Sequence, residues 1–105
     1  MAFKVELSRR AERDIEEAFE YIHADAPLNA LRWRKRLEQK LRILERTPEA
    51  FGFAPENCDA RVEVRQLLFG RYRLLYTVRS PTVFVLTVRH GARLFLSGRE
   101  VDSIE

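Results

Sequence analysis

The sequence contains few of the residues that cross-link, bend or anchor a chain. Its single cysteine, Cys58, excludes an intrachain disulfide and leaves too few thiolates for a structural zinc site. Glycine and proline number only four each, so no flexible linker divides the 105 residues, and we predict one domain over residues 1–105. No window approaches the ~18 apolar residues needed to span a bilayer, and the N-terminus lacks an apolar signal region. These absences predict a cytoplasmic protein with no membrane partner.

The common motifs of cofactor and metal chemistry are also absent. The chain has no glycine-rich phosphate loop, no nucleophile elbow and no pair of metal-ligand clusters, so we expect neither a cofactor nor a metal. The net charge of +3 and the pI near 9.4 predict a mildly basic surface. Arginine far outnumbers lysine, and its guanidinium suits bidentate contacts with phosphates and carboxylates. The composition is therefore compatible with an anionic partner.

The first half of the chain has the periodicity of a short strand and two amphipathic helices. Apolar and charged residues alternate over 3–7, which is typical of a strand with one buried face. Ser8 then provides a helix N-cap, and Pro27 suits the first turn of a second helix after a short break. Apolar residues recur three and four apart in both helices: Ala11, Ile15, Ala18 and Ile22, then Ala30, Trp33, Leu37, Leu41 and Leu44. So short a connection predicts an antiparallel helical hairpin over residues 8–47.

The second half of the chain is predicted to form an irregular loop, three strands and a tail. The β-branched and aromatic runs of the strands are 61–68, 71–79 and 82–90. The separators between them are short enough to force hairpins, so the strands are predicted to form an antiparallel β-meander over 61–90. The pairing of the first strand of the chain is left open, and residues 91–105 either pack as a terminal element or stay mobile. The predicted fold class is α+β, a helical hairpin on an antiparallel sheet in the order β-α-α-β-β-β.

Alternation along the run 71–79 separates two sets of side chains. The even-numbered residues form the set that a helical hairpin would cover, whereas the odd-numbered ones, three of them arginines, are too charged to be buried. We therefore predict an open sheet face carrying Arg65 and Arg73, with His90 and Arg93 at its end. Arginines can hold phosphates and a histidine can transfer protons, which is a ribonuclease-like composition. The alternative is that the arginines solubilise the face or bind an acidic partner, and that His90 is structural.

Several short motifs, taken in order, resemble the RelE/ParE toxin superfamily. The second half of the chain carries RQL at 65–67, GRYRLLY at 70–76 and VRHGAR at 88–93. The first half carries SxxAxxDI at 8–15, followed by YI and a proline. The resemblance implies the RelE/ParE toxin fold over nearly the whole chain. It also implies that the protein is the toxin of a type II toxin–antitoxin pair, silenced by a cognate acidic antitoxin that folds on binding.

The two branches of this superfamily act differently, and the HGAR ending of the last motif resembles the ParE branch. The sequence has no tyrosine after Tyr76 and no lysine after Lys40, so the lysine-rich active face of RelE-like members is missing. Resemblance to ParE implies a plasmid-stabilisation type of growth inhibitor that acts on DNA gyrase by binding. The predicted partner-binding residues are Arg34, Lys35 and Arg42 on the basic second helix, with Arg71 and Tyr72.

Resemblance to the RelE branch implies a different function, a ribosome-dependent endonuclease that cuts messenger RNA. In that case the catalytic residues would be Arg65 and Arg73, which would hold the scissile phosphate, and His90 or Arg93. The latter two would assist proton transfer or stabilise the charge that develops as the 2′-hydroxyl attacks. A third alternative is a non-toxic module that only binds the antitoxin.

Overall fold

A helical hairpin packs on a four-stranded sheet in the computed structural model, which describes residues 2–105; Met1, part of the predicted domain, lies outside the described residues. The elements are β1 (Lys4–Leu7), α1 (Arg9–Asp25), α2 (Pro27–Arg46), β2 (Arg65–Phe69), β3 (Tyr72–Arg79), β4 (Thr82–His90) and α3 (Gly98–Asp102). Two short 3₁₀ turns lie between α2 and β2. The predicted fold class and element order are confirmed, and α3 is an additional short helix in the tail.

The sheet has the strand order β1-β4-β3-β2 and is mixed. Strands β2, β3 and β4 form the predicted antiparallel meander. Strand β1 pairs in parallel with β4, with Lys4 opposite Thr82 and Leu7 opposite Val85, which resolves the pairing that the sequence left open. A parallel pair needs a long crossover connection, and the helical hairpin is part of it. Because β1 has only four residues, it covers the first half of β4 alone.

The remaining edge of β4 is covered by the start of α1 rather than by a strand. The Ser8 hydroxyl donates to the Leu86 carbonyl at 2.7 Å and accepts from the Ala11 backbone N–H at 2.9 Å. Six residues later the Asp14 carboxylate accepts from the Thr87 hydroxyl and from the Val88 backbone N–H. Since buried backbone groups must be paired, these two side chains do what another strand would otherwise do.

Ser8→Ala is expected to lower the free energy of unfolding by about 2 kcal/mol, because it removes a helix N-cap and leaves the buried Leu86 carbonyl without this donor. The measurement is chemical denaturation of the purified protein. Ser103→Ala is the matched control, since the Ser103 hydroxyl also bonds a backbone carbonyl but is exposed, and its effect should stay below about 0.5 kcal/mol. Equal effects of the two substitutions would contradict the role assigned to Ser8.

Both faces of the sheet are covered, so the prediction of an open face is wrong. The larger core lies under the hairpin and includes Trp33, Leu37, Leu44, Leu74 and Tyr76. A second core on the opposite face is formed by Ala54, Val64, Leu75, Leu86, Leu96 and Val101. The tail and the connection between α2 and β2 supply much of this second core. As a result, Arg73, Leu75 and Thr77 are only 6%, 0% and 3% exposed.

The first strand of the meander begins later than predicted, at Arg65 rather than at residue 61. The backbone N–H of Val64 donates to the Asn57 side-chain oxygen at 2.8 Å, and its carbonyl accepts from the Ala54 N–H at 2.8 Å. These backbone groups are thus bound to the preceding connection, which delays the β2–β3 ladder.

In residues 2–105 no helix is both long and apolar enough to cross a membrane.

Candidate functional site

Arg73 lies near the start of β3 on the sheet face turned away from the hairpin, and each of its three guanidinium nitrogens donates a hydrogen bond within the chain. Its two terminal nitrogens donate to the two carboxylate oxygens of Glu56, at 2.6 and 3.1 Å. Its Nε donates to the Gln66 side-chain oxygen at 3.0 Å. The Phe95 ring lies 5.1 Å from the guanidinium carbon, and the Leu96 N–H donates to Glu56 at 3.2 Å. All three nitrogens of Arg73 therefore have partners within the chain, and a phosphate would have to displace them.

The carboxyl group of Glu56 stays ionised in this buried position. Burial alone would raise the pKa of Glu56, but hydrogen bonds from the Arg73 side chain and from the backbone of Glu56 and Leu96 outweigh it. The net effect is a pKa below the ordinary value of 4.5. The two residues thus form a charged, bidentate pair with side chains 7% and 0% exposed. Sequence reasoning missed Glu56, which lies in the irregular connection without a periodic pattern.

Arg65 lies on the other face of the sheet, so it cannot act beside Arg73. It is directly opposite Tyr76 in the β2–β3 ladder, and directly opposite residues of an antiparallel pair project from the same face. That face is the one under the hairpin. The Arg65 guanidinium donates to the Phe51 carbonyl at 2.6 Å and lies 4.5 Å from the centre of the Phe53 ring. The predicted common surface of Arg65 and Arg73 is therefore corrected, and both arginines bind other parts of the chain.

His90 and Arg93 do come together, in a cleft of about 510 Å³ between α1 and the ends of β3 and β4. We call it the terminal cleft; its polar and aromatic lining is Asp14, Glu17, Tyr21, Tyr72, His90 and Arg93. The His90 ring meets the Tyr72 ring edge-on, with 5.3 Å between centroids. The Nδ1 of His90 accepts from the Ala92 N–H at 3.0 Å, so the neutral imidazole carries its proton on Nε2. Burial, followed by the nearby Tyr21, raises the pKa of Tyr72.

The terminal cleft contains both basic and acidic side chains. His90 contributes an imidazole with one donor and one acceptor nitrogen, and Arg93 can attract an anion. Two carboxylates of α1, Asp14 and Glu17, line the same cleft and oppose the entry of a phosphate. Arg65 is remote from it, because Arg65 is opposite Tyr76 and His90 is opposite Tyr72. Four residues along β3 correspond to roughly 13 Å. The four residues of the predicted nuclease site are therefore divided among three places.

The predicted partner-binding residues are also distributed over the surface. Arg34 of α2 packs over the Phe19 ring at 4.1 Å and lies 3.8 Å from the Glu16 carboxylate, so it bridges the two helices. Lys35 and Arg42 are exposed on α2. The other two predicted residues are at the β2–β3 turn, Arg71, and in the terminal cleft, Tyr72.

A shallow apolar groove of about 350 Å³ lies beside Arg71 on the sheet face away from the hairpin. Its exposed walls are Leu68 and Phe95, which are 60% and 61% exposed. Sequence reasoning missed this groove, because Leu68 looked like an ordinary strand residue and Phe95 belonged to a tail of undecided structure. No group of three or more His, Cys, Asp or Glu side chains within residues 2–105 is placed to hold a metal ion.

Comparisons with known proteins agree with this architecture. Residues 5–95 match the family described as the ParE toxin of the type II toxin–antitoxin system parDE. The structure of the chromosomal ParDE toxin–antitoxin system of Pseudomonas aeruginosa aligns with a TM-score of 0.70 at 14% identity, covering 85% of this chain and 96% of that one. No curated protein sequence shows a significant match to the chain.

Two solved structures from the RelE side are also similar. The RelBE2 toxin–antitoxin complex of Mycobacterium tuberculosis aligns with a TM-score of 0.57 at 25% identity, covering 86% of this chain and 99% of that one. A mutant of the Escherichia coli toxin RelE in the free state aligns with a TM-score of 0.57 at 23% identity, covering 88% and 86%. The predicted RelE/ParE fold, with its tilt to the ParE branch, is confirmed. Because the family match extends over most of its length, the chain belongs to the ParE toxin family of type II toxin–antitoxin systems.

Proposed function

We propose that this toxin inhibits growth by binding DNA gyrase and stabilising the complex of gyrase with cleaved DNA, without breaking a bond itself. The family match over residues 5–95 supports the proposal, because gyrase poisoning is the activity that resemblance to the ParE branch implies. The observation that carries it against the nuclease alternative is the bidentate Arg73–Glu56 pair. An arginine with all its nitrogens bound inside the chain is poorly placed to hold a scissile phosphate.

We also propose that an acidic antitoxin holds the toxin inactive. The ParDE and RelBE2 structures that resemble this chain are described as toxin–antitoxin systems or complexes. On this chain, the apolar groove between Leu68 and Phe95, with Arg71 beside it, has the chemistry to receive an amphipathic acidic segment. Two of the predicted partner-binding residues, Arg71 and Tyr72, border this groove, while the Tyr72 ring packs against His90 in the terminal cleft. Opposite charges would speed the encounter of the two proteins more than they would strengthen the complex.

The second candidate function is ribosome-dependent cleavage of messenger RNA, and one observation favours it. The terminal cleft brings His90, Arg93 and the Tyr72 hydroxyl together, which would supply a proton-transfer group and a cation to one phosphate. In this alternative the reaction would take place at the end of the sheet, and Arg65 and Arg73 would have structural roles only.

Adding the purified toxin to gyrase and plasmid DNA separates the two functions. We expect inhibition of supercoiling and accumulation of linear DNA after denaturation of gyrase, whereas messenger RNA in a translation extract should remain intact. The variant with His90→Gln and Arg93→Gln should inhibit gyrase as the wild type does, because these residues would matter only for cleavage of RNA. Cutting of messenger RNA that disappears in this variant, with gyrase unaffected, would overturn the gyrase proposal. If the protein affects neither gyrase nor messenger RNA and does not arrest growth, the third alternative, a non-toxic module that only binds the antitoxin, would be correct.

A further inference from the structure

The net positive charge of the protein is concentrated on one helix. Within α2, residues 27–46, seven side chains are basic and two are acidic, a net of +5, whereas the whole chain has a net charge of +3. The residues outside α2 therefore carry a net charge of −2. The exposed side of the neighbouring helix α1 carries several carboxylates, namely Glu12, Glu16, Glu17 and Glu20. The helical layer thus has one cationic helix beside one with many acidic residues.

Four of the seven basic residues of α2 lie in a line on its outer face, together with Gln39. We call this line the α2 stripe: Arg32, Lys35, Gln39, Arg42 and Arg46, all exposed. Successive members are three or four residues apart, which places them on one side of a helix, opposite the buried Trp33 and Leu37. The line from the first to the last member is about 21 Å long at a rise of 1.5 Å per residue. Among the salt bridges of residues 2–105, none involves a residue of the stripe.

The chemistry of the α2 stripe favours a phosphate backbone over a protein surface. Protein interfaces of high affinity have aromatic or apolar anchors at their centre. None of the five stripe residues is apolar or aromatic. Two strongly exposed apolar residues, Leu28 and Leu31, adjoin only its N-terminal end, four residues before Arg32 and Lys35, and Ile43 on its flank is little more than one-third exposed. Binding to nucleic-acid backbone requires mainly cations and is largely independent of sequence.

We propose that the α2 stripe binds the sugar–phosphate backbone of duplex DNA without reading its bases. About 21 Å of B-form duplex presents roughly 12 phosphates, so four cations have enough acceptors within reach. The choice of DNA rests on the proposed function, since gyrase is a DNA-bound target, and on the absence of exposed aromatic side chains in the stripe, which single-stranded RNA recognition commonly uses. The carboxylates of α1 would repel the duplex and limit contact to this one helix.

Fluorescence polarisation of a labelled duplex of about 20 base pairs with mixed sequence tests the proposal. The stripe variant replaces Arg32, Lys35, Arg42 and Arg46 by glutamine, which keeps a high helix propensity. The control variant replaces Arg9, Arg13, Arg61 and Arg99 by glutamine, which removes the same charge from exposed positions elsewhere. We expect the stripe variant to bind at least tenfold more weakly and the control less than threefold, with unchanged circular dichroism for both. The dependence of log K on log salt should have a slope near −3.6 for four phosphate contacts and become much shallower in the stripe variant.

The outcomes that overturn the proposal are distinct from failure of the gyrase proposal, because gyrase is absent from the binding assay. Equal weakening in both variants would show attraction by net charge alone. Tighter binding of an RNA duplex or of polyglutamate at equal charge concentration would assign the stripe to RNA or to an acidic protein instead. A wild-type toxin that inhibits gyrase but does not bind the duplex would overturn only the DNA contact. A toxin that binds the duplex through the stripe but leaves gyrase unaffected would retain the DNA contact and remove the gyrase target.

Discussion

Replacing Arg73 with methionine is expected to lower the free energy of unfolding by about 4 kcal/mol. The substitution leaves the Glu56 carboxylate buried with no cation beside it, and removing one partner of a buried pair costs far more than the pair contributes. Urea denaturation of the wild type and the variant, followed by circular dichroism and tryptophan fluorescence, gives the difference. The expected loss is a large part of the total stability of a domain of this size.

A double-mutant cycle identifies the cause of the loss. Arg73→Met combined with Glu56→Leu should recover at least about 2 kcal/mol relative to the sum of the single changes, since the buried charge is then gone. Glu16→Gln is the matched control, because it removes a carboxylate from the exposed Arg34–Glu16 pair and should change stability by less than about 0.5 kcal/mol. Additive effects at positions 56 and 73 would show that the pair is not coupled, and Arg73 would then be free to bind another group.

The pH dependence of the Arg73 variant provides a second sign of the same pair. In the wild type the folded pKa of Glu56 is below 4.5, so its contribution to stability is present above that pH and is lost as the pH falls through the lowered value. In Arg73→Met the effect of burial should dominate and raise the pKa of Glu56. Protonation of Glu56 then removes the buried charge. The difference in the free energy of unfolding between wild type and variant should therefore become smaller as the pH falls from about 7 to about 4.

Gly98→Ala is expected to detach the tail from the sheet and to destabilise the protein by about 3 kcal/mol. A β-carbon at position 98 would lie 2.1 Å from the carbonyl oxygen of Asp59 and 2.4 Å from its carbonyl carbon, so α3 would have to move. The buried Val101 and Leu96 would lose part of their packing as a result. Hydrogen exchange should show faster exchange of the amides of α3 and of the Leu96 N–H.

Gly52→Ala is the control for this substitution, because no atom lies within 4 Å of the β-carbon it would add. It should leave stability within about 0.5 kcal/mol of the wild type. If Gly98→Ala folded with unchanged protection of α3, the tail would not be held against the connection as tightly as the structure indicates.

The helical hairpin was predictable because its signals are local. Ser8 and Pro27 mark the two helix starts, and the apolar residues between them have the helical period, so nothing distant had to be known. The β-meander was predictable for the same reason, since its two turns are short. The parallel partner of β1 was not, because β1 and β4 are joined by hydrogen bonds between residues at opposite ends of the chain.

The arginine face was predicted wrongly because odd-numbered residues of both β2 and β3 were assigned to one face of the sheet, without knowing how the two strands are aligned across their hairpin. Phe69 lies opposite Tyr72, so an odd-numbered residue of β2 shares a face with an even-numbered residue of β3. Arg65 and Arg73 are both odd-numbered and therefore lie on opposite faces. The length of the turn, once known, is enough to correct this part of the site.

The burial of Arg73 could not be predicted in this way. Its partner Glu56 is 17 residues away in a segment without periodicity, and Phe95 and Leu96 come from the tail. A charged residue in a strand is usually exposed, and only a compensating charge from elsewhere makes burial possible. The terminal cleft was predicted in part, since His90 and Arg93 are close in sequence, whereas Asp14 and Tyr21 reach it from α1.

The parallel pairing of β1 with β4 has a consequence for the timing of synthesis. The Ser8 hydroxyl donates to the carbonyl of Leu86, which is 78 residues later in the chain. Strand β1 therefore has no partner strand until nearly the whole chain has been synthesised. At 5–20 residues per second this delay is roughly 4–16 s. During that interval the nascent helices have no sheet to cover, and the buried arginine lacks the tail that encloses it. We expect a polypeptide released before β4 is synthesised to be unable to form either core. Only a chain that includes β4 should therefore fold and be toxic.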